Sequence, residues 1–265
     1  MKRGSIWSWV WVAIGVIYFA LPLIATFEFS LKAERGRYSL AAYRTVLSDP
    51  QFLRTFTFSV EIAILTIVFS LLLIVPTVYW VHLKLPNLRP LMEFVAFLPF
   101  VLPAVVLVFG LIRIYSRPPL ALTNYAWSTN LLLIAAYMGL ALPYMYRSVD
   151  TGMRAVDIRT LTEAAQSLGA GWPTIIGRVI FPNLRTALLS GTFLTFAIVI
   201  GEYTIASFLA RPMFGPYLAS LVRNKAYEPA ALSIISFAIT WIIMAAVQWV
   251  TQRTPGAGQV ATGPR

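Results

Sequence analysis

The sequence has no cysteine and a single histidine, His82. The first absence excludes a disulfide framework, a thiolate-ligated metal and a redox thiol. The second excludes two-histidine metal motifs and leaves one poor candidate for a catalytic base. Charge is also scarce. Only 12% of residues are Asp, Glu, Lys or Arg, about half the usual share of roughly a quarter. Too few charges remain to coat a globular surface. No G-x-x-x-x-G-K-[ST] occurs, so no phosphate-cradling loop for ATP is present. No cofactor is expected, no metal site, and no catalytic residue. A hydrolase would need a nucleophile with a base or a metal cluster, and neither constellation is visible.

What the sequence has instead is apolar length. Of its 265 residues, 58% are hydrophobic, and the mean hydropathy is +0.75. A spanning helix takes about 20 apolar residues, so the chain has room for about six spans with short connections. Six apolar segments are predicted as transmembrane helices: 9–29, 56–81, 91–115, 128–149, 184–208 and 230–250. Aromatic residues gather near their ends, at Trp7, Trp9, Trp11, Tyr79, Trp80, Tyr125, Trp127, Tyr144, Tyr146 and Trp249. Such rings favour the head-group level. The first segment follows Lys2 and Arg3, but it is about twice the length of a signal core and lacks a clear cleavage site. It reads as a retained span. The net charge of +11 sits mostly in loops, where it suits anionic lipid rather than nucleic acid. Counting Lys and Arg on the two sides gives a near tie, so charge bias leaves the orientation open. The segment 254–265, rich in Gly, Pro, Thr and Ala, reads as a disordered tail after a transmembrane domain over 1–253.

The third segment contains Pro99 and Pro103. Each removes a backbone donor and kinks the helix. Freed carbonyls in a membrane need protein or cavity water, so these prolines mark either a transport path or a simple packing kink.

The longest polar stretch lies between segments four and five, 147–185, with its patterned part over about 150–183. It is predicted to form two helices joined by a small-residue turn. Thr160 and Glu163 have capping-box spacing, and Asp157 is an alternative cap. Leu161, Ala165 and Leu168 recur at helical spacing as an apolar stripe. Arg159 and Glu163 can pair across one turn. Gly169 stands where a helix end favours a left-handed residue, Pro173 suits the first turn of the second helix, and Pro182 is placed to end it. Such a hairpin could dock into a partner's groove or lie on the bilayer surface.

Glu163-Ala164-Ala165, then Gly169, then Ile180-Phe181-Pro182, resembles the EAA loop of binding-protein-dependent ABC import permeases. Phe181 stands where that family often has leucine. YSLAAYRTVLSDPQFLRTFTF (38–58) and LPFVLPAVV (98–106) are similar to further segments of the family, so the resemblance extends over residues 38–250. It implies an all-α membrane protein of the type I ABC importer permease fold, with a cytoplasmic coupling helix. Glu163, Ala164, Ala165, Leu168, Gly169 and Pro182 would then form the surface that docks an ABC ATPase. Also implied are multi-pass residence in a bacterial inner membrane, cytoplasmic termini and loop, a second and different permease chain, and an extracytoplasmic substrate-binding protein. GEYTIASFLARP (201–212) looks like the polyamine, iron(III), thiamine and phosphonate branch, with spermidine/putrescine permeases first and sulfate and molybdate permeases more distant. Glu202 and Tyr203 join Pro99 and Pro103 as candidate path residues. Glu202 could equally reach interfacial water or a basic loop residue. The rival class is an ion-coupled carrier. Such carriers usually hold ionisable residues near the bilayer midplane, and Glu61, Glu93 and Glu202 all fall near segment ends.

Overall fold

The computed structural model describes residues 6–252. The predicted tail at 254–265 lies outside them. Apart from one isolated β-bridge in a loop, the described chain is built from helices and their connections.

The chain forms two compact units. One contains the described residues up to Thr55 and Tyr217–Ile243; the other contains Phe56–Pro216 and the residues from 244 onward. The first unit holds α1 (Ile6–Ser30) and α2 (Ala41–Leu47). Ser30 Oγ lies 2.7 Å from Tyr43 Oη, and Phe29 packs on Tyr227. The side chain of Asp49 starts α3 (Pro50–Lys84) by accepting from Gln51 N at 2.8 Å, which satisfies one of the free donors of a helix start. The same carboxylate accepts from Tyr217 Oη at 2.6 Å.

The second unit carries most of α3 and then α4 (Arg89–Val101), α5 (Ala104–Tyr115) and α6 (Ala126–Arg154). These are followed by α7 (Ile158–Ser167), α8 (Trp172–Asn183), α9 (Arg185–Gly201) and α10 (Thr204–Phe208). Two helices cross from one unit's residues to the other's or lie beyond: α11 (Phe214–Asn224) and α12 (Glu228–Gln252).

The six predicted apolar segments all fall in helices, but three of them alone are single helices long and apolar enough to cross a membrane: Trp7–Ser30, Pro50–Lys84 and Ala126–Arg154. The third segment is sharply broken rather than gently kinked, as a broken span or a re-entrant pair would be. It is two helices meeting at 100°. Leu102 is extended (φ −90°, ψ 115°) and Pro103 precedes α5 at ψ 139°. The cause is local: a residue before proline is pushed out of the helical region by the ring. Pro99, by contrast, is accommodated inside α4. The fifth segment also differs from expectation. Its helix stops at Gly201 rather than Phe208, and it joins α8 at a bend of 82°. The bend falls at Leu184, two residues after Pro182. The last segment lies within α12, 25 residues long.

The second unit packs chiefly through α6 and α9, whose contact is made by small residues. A Cβ built on Gly152 would lie 2.5 Å from Ala187 Cβ, and one on Gly191 would lie 2.9 Å from Met145 Sδ. Close backbone approach of this kind is how helices associate where lipid offers no hydrophobic driving force.

Candidate functional site

The polar stretch folds as the predicted hairpin, with a different start. Asp157 caps α7: its carboxylate accepts from Thr160 N at 3.1 Å and from Thr160 Oγ1 at 2.7 Å. The Thr160–Glu163 capping box is therefore not formed, because Thr160 already lies inside the helix. These contacts hold the Asp157 carboxyl below the usual carboxylate range, the Thr160 hydroxyl contributing most. A depressed folded-state pKa means that the cap stabilises above the ordinary carboxylate pKa and is lost as pH falls through the lowered value. Asp157→Ala is expected to fray the first turn and speed hydrogen exchange at the Thr160 amide, whereas Asp157→Asn should keep the cap. Equal exchange in both variants would sink this assignment.

The far end of α7 closes as a Schellman motif. Ala170 N donates to Ala165 O at 3.0 Å, and Gly169 N donates to Gln166 O at 2.8 Å. Gly169 has φ +77°, a conformation that costs a residue with a Cβ but not glycine. Gly171 then precedes α8, and Pro173 lies in its first turn. The middle of α8, Ile175–Ile180, is π-helical.

The face of α7 that packs inward carries Ile158, Thr162 and Ala165. Thr162 Oγ1 lies 2.9 Å from Tyr79 Oη, both groups buried. Trp172, at the start of α8, packs against Trp80 with ring centroids 4.5 Å apart and the planes tilted by 49°, and Lys84 Nζ sits 4.8 Å over Trp80 and 5.4 Å over Trp172. The hairpin is thus pinned to the end of α3 by apolar burial, one hydroxyl pair and a cation–π contact.

Among the residues predicted to dock a partner, Glu163, Ala164, Leu168 and Gly169 all face outward. Leu168 is 89% exposed, so it does not extend the apolar stripe inward as expected. The left-handed closure at Gly169 turns the chain before Leu168 can reach the core. Ala165 is buried in that core and Pro182 is half-buried, so these two support the hairpin rather than its outer face. Arg159 and Glu163 pair at 3.0 Å on the outside.

Three of the four candidate path residues lie at the two helix breaks, and Pro99 lies inside α4. Pro103 heads α5, and Glu202 and Tyr203 separate α9 from α10. α5 and α10 pack on one another, with Phe109 and Phe208 in ring contact at 4.8 Å. Glu202 does not pair with a basic residue among the described contacts. It accepts from Ile205 N at 2.8 Å, Ala206 N at 3.1 Å and Tyr137 Oη at 3.0 Å. It caps α10 while remaining half-exposed. Tyr203 is exposed. The 17 residues of α9 put about 26 Å between this break and the hairpin end.

Two features escaped the sequence reading. A half-open cleft of about 380 Å³, lined by Phe97, Phe100, Tyr144 and the exposed Arg147 among others, lies beside α4, α6 and α9. A charged cluster centres on Asp150, whose side chain is 2% exposed. Its Oδ1 meets His82 Nε2 at 2.7 Å and Arg89 Nη2 at 3.3 Å, and its Oδ2 meets Arg154 Nη2 at 2.7 Å. Glu93 Oε1 joins through Arg154 at 2.8 Å. The spacing of Asp150 and Arg154 is the sole sequence signal; the other members come from distant helices. Among the described residues no group of three His, Cys, Asp or Glu side chains is placed to hold a metal ion.

Broken apolar helices joined by a packed polar hairpin are features of a membrane transport component. The chain belongs to the family of binding-protein-dependent transport system inner membrane components, which matches residues 86–254. Within that family it is the permease subunit of an ABC importer, a multi-pass inner-membrane protein. The probable molybdenum ABC transporter permease of Haloferax volcanii is 30% identical over 197 residues, covering 74% of this chain and 70% of its own. The spermidine/putrescine transport system permease PotC of Shigella flexneri is 22% identical over 251 residues, 91% of this chain and 92% of its own. In fold, the chain matches a bacterial ABC transporter involved in the import of the acidic polysaccharide alginate, with a TM-score of 0.70 over 95% of this chain and 94% of that one, at 12% identity. The fold is therefore that of the type I importer permeases.

Proposed function

We propose that the outer face of the α7–α8 hairpin docks an ABC ATPase, and that this chain carries a polyamine across the membrane. The carrying observation is the hairpin itself. Glu163, Ala164, Leu168 and Gly169 are presented outward on a helix whose other face is locked into the core. Since the chain has no ATP-cradling loop of its own, energy comes through that surface from a separate subunit. The hairpin and both termini lie on the cytoplasmic side in this reading. A second permease chain of different sequence completes the path, and an extracytoplasmic binding protein delivers the solute. Pro99, within α4, and Pro103, Glu202 and Tyr203, at the helix breaks, belong to the path in this reading.

The polyamine assignment is supported by the PotC relatives, one of which aligns over nine-tenths of both chains. A second reading, an oxyanion such as molybdate or sulfate, is favoured by the Haloferax volcanii relative and by exposed Arg147 in its aromatic-lined cleft. Uptake of labelled spermidine and putrescine in cells lacking the chain, with and without its restoration, decides between them. Return of ATP-dependent polyamine uptake supports the first reading. No return, with molybdate or sulfate uptake restored, replaces it by the second.

Glu202→Gln tests the path separately. Glutamine keeps an acceptor oxygen for the α10 amides and removes the charge. The KM for spermidine is expected to rise at unchanged membrane abundance. Unaltered kinetics would leave Glu202 as a helix cap alone.

A further inference from the structure

We propose that the Asp150 cluster is the mechanical link between the docking hairpin and the broken third segment, with Asp150 a positioning residue. This rests on the reading of the hairpin as the ATPase dock.

The link follows from which elements the cluster joins. Asp150 and Arg154 occupy the last turn of α6, and Arg154 is its final residue. Three residues later comes Asp157, the cap of α7. A displacement of the hairpin is therefore imposed on that turn. Arg89 and Glu93 occupy the first turns of α4, and both are tied to the same turn of α6: Arg89 to Asp150, Glu93 to Arg154. His82 adds the end of α3. The Asp150 carboxylate can only accept, so His82 Nε2 carries a proton and donates. At its other end α4 meets the 100° break, beyond which α5 packs on α10. The base of α4 is thus held by charge to the turn that carries the hairpin.

Charge suits this role better than an apolar contact would. Apolar surfaces can slide by small steps. A buried carboxylate separated from its partners is left uncompensated, which is strongly unfavourable, so the joined turns move together or exchange partners as a discrete event. A place for such an exchange is visible. Arg89 Nε is buried without a hydrogen-bond partner and lies 3.9 Å from Glu93 Oε1. A shift of about 1 Å would bring that pair within hydrogen-bond range.

The absence of cysteine makes the test direct. In the complete transporter in proteoliposomes, an environment-sensitive thiol-reactive fluorophore is placed at Val101→Cys, beside the break and highly exposed. ATP with vanadate is expected to change its emission. In Asp150→Asn the ATPase should still co-purify and hydrolyse ATP, while the emission change falls by about fivefold or more. A purely structural role would lower assembly and hydrolysis together instead. A full emission change in Asp150→Asn, or none in the unaltered background, would overturn the link. Should Asp150→Asn not assemble, Glu93→Gln, which leaves Asp150 its three partners, is read in the same way. Failure of the ATPase to co-purify with the unaltered chain would count against the docking reading instead.

Discussion

Glu163→Lys is expected to remove most ATP-driven uptake while the chain still folds and reaches the membrane. The local cost is small. Glu163 is exposed and its pair with Arg159 spans one helical turn. Such a pair contributes a few tenths of a kcal/mol, and a like-charge pair costs about as much. The α7 cap, the Thr162–Tyr79 contact and the Trp172–Trp80 packing do not involve this side chain. The cost at the docking face is larger, because reversing a charge across a complementary interface is worth several kcal/mol. Uptake should fall by about tenfold or more, since each 1.4 kcal/mol is a factor of ten, and ATPase co-purification should fall with it. Normal uptake by this variant would argue against the hairpin as the dock.

Gly152→Val is expected to act through folding instead. The position a Cβ would occupy is 2.5 Å from Ala187 Cβ and 3.2 Å from Leu184 Cδ2. Ala187 Cβ is fixed to its backbone and cannot turn aside, so α6 and α9 must move apart. Overpacking of this kind costs about 1–3 kcal/mol, a large part of a typical net stability of about 5–15 kcal/mol. Thermal unfolding in detergent should shift down and membrane abundance should drop. Gly152→Ala combined with Ala187→Gly should cost much less, because the swap keeps the total volume of the contact unchanged. Equal stability of Gly152→Val and the parent would show that the two helices are not held by this approach.

The hairpin was legible in the sequence because its signals are local. Gly169, Pro173 and the Arg159–Glu163 spacing each act within one turn, and each appears where expected. Two local signals competed at the start of α7, and Asp157 prevailed over Thr160 because it reaches both the Thr160 amide and its hydroxyl. Apolar length located the helices but not their breaks. Hydropathy does not change at Leu102, where backbone sterics before a proline interrupt the helix, and one charge at Glu202 does not by itself announce the side-chain cap found there. The Asp150 cluster was least legible. Its members are brought together from three helices by packing, and no window of sequence contains them.

Leu168 has a consequence for the cell. It is 89% exposed at the tip of a tightly closed turn, so under the proposed docking of the ATPase it is an oily handle on any copy that lacks its counterpart. Proteins that triage misassembled membrane subunits respond to such handles. The half-life of this chain should therefore track how much of its cognate ATPase is made. Leu168→Ser should lengthen the survival of orphan copies while doing nothing for those already assembled.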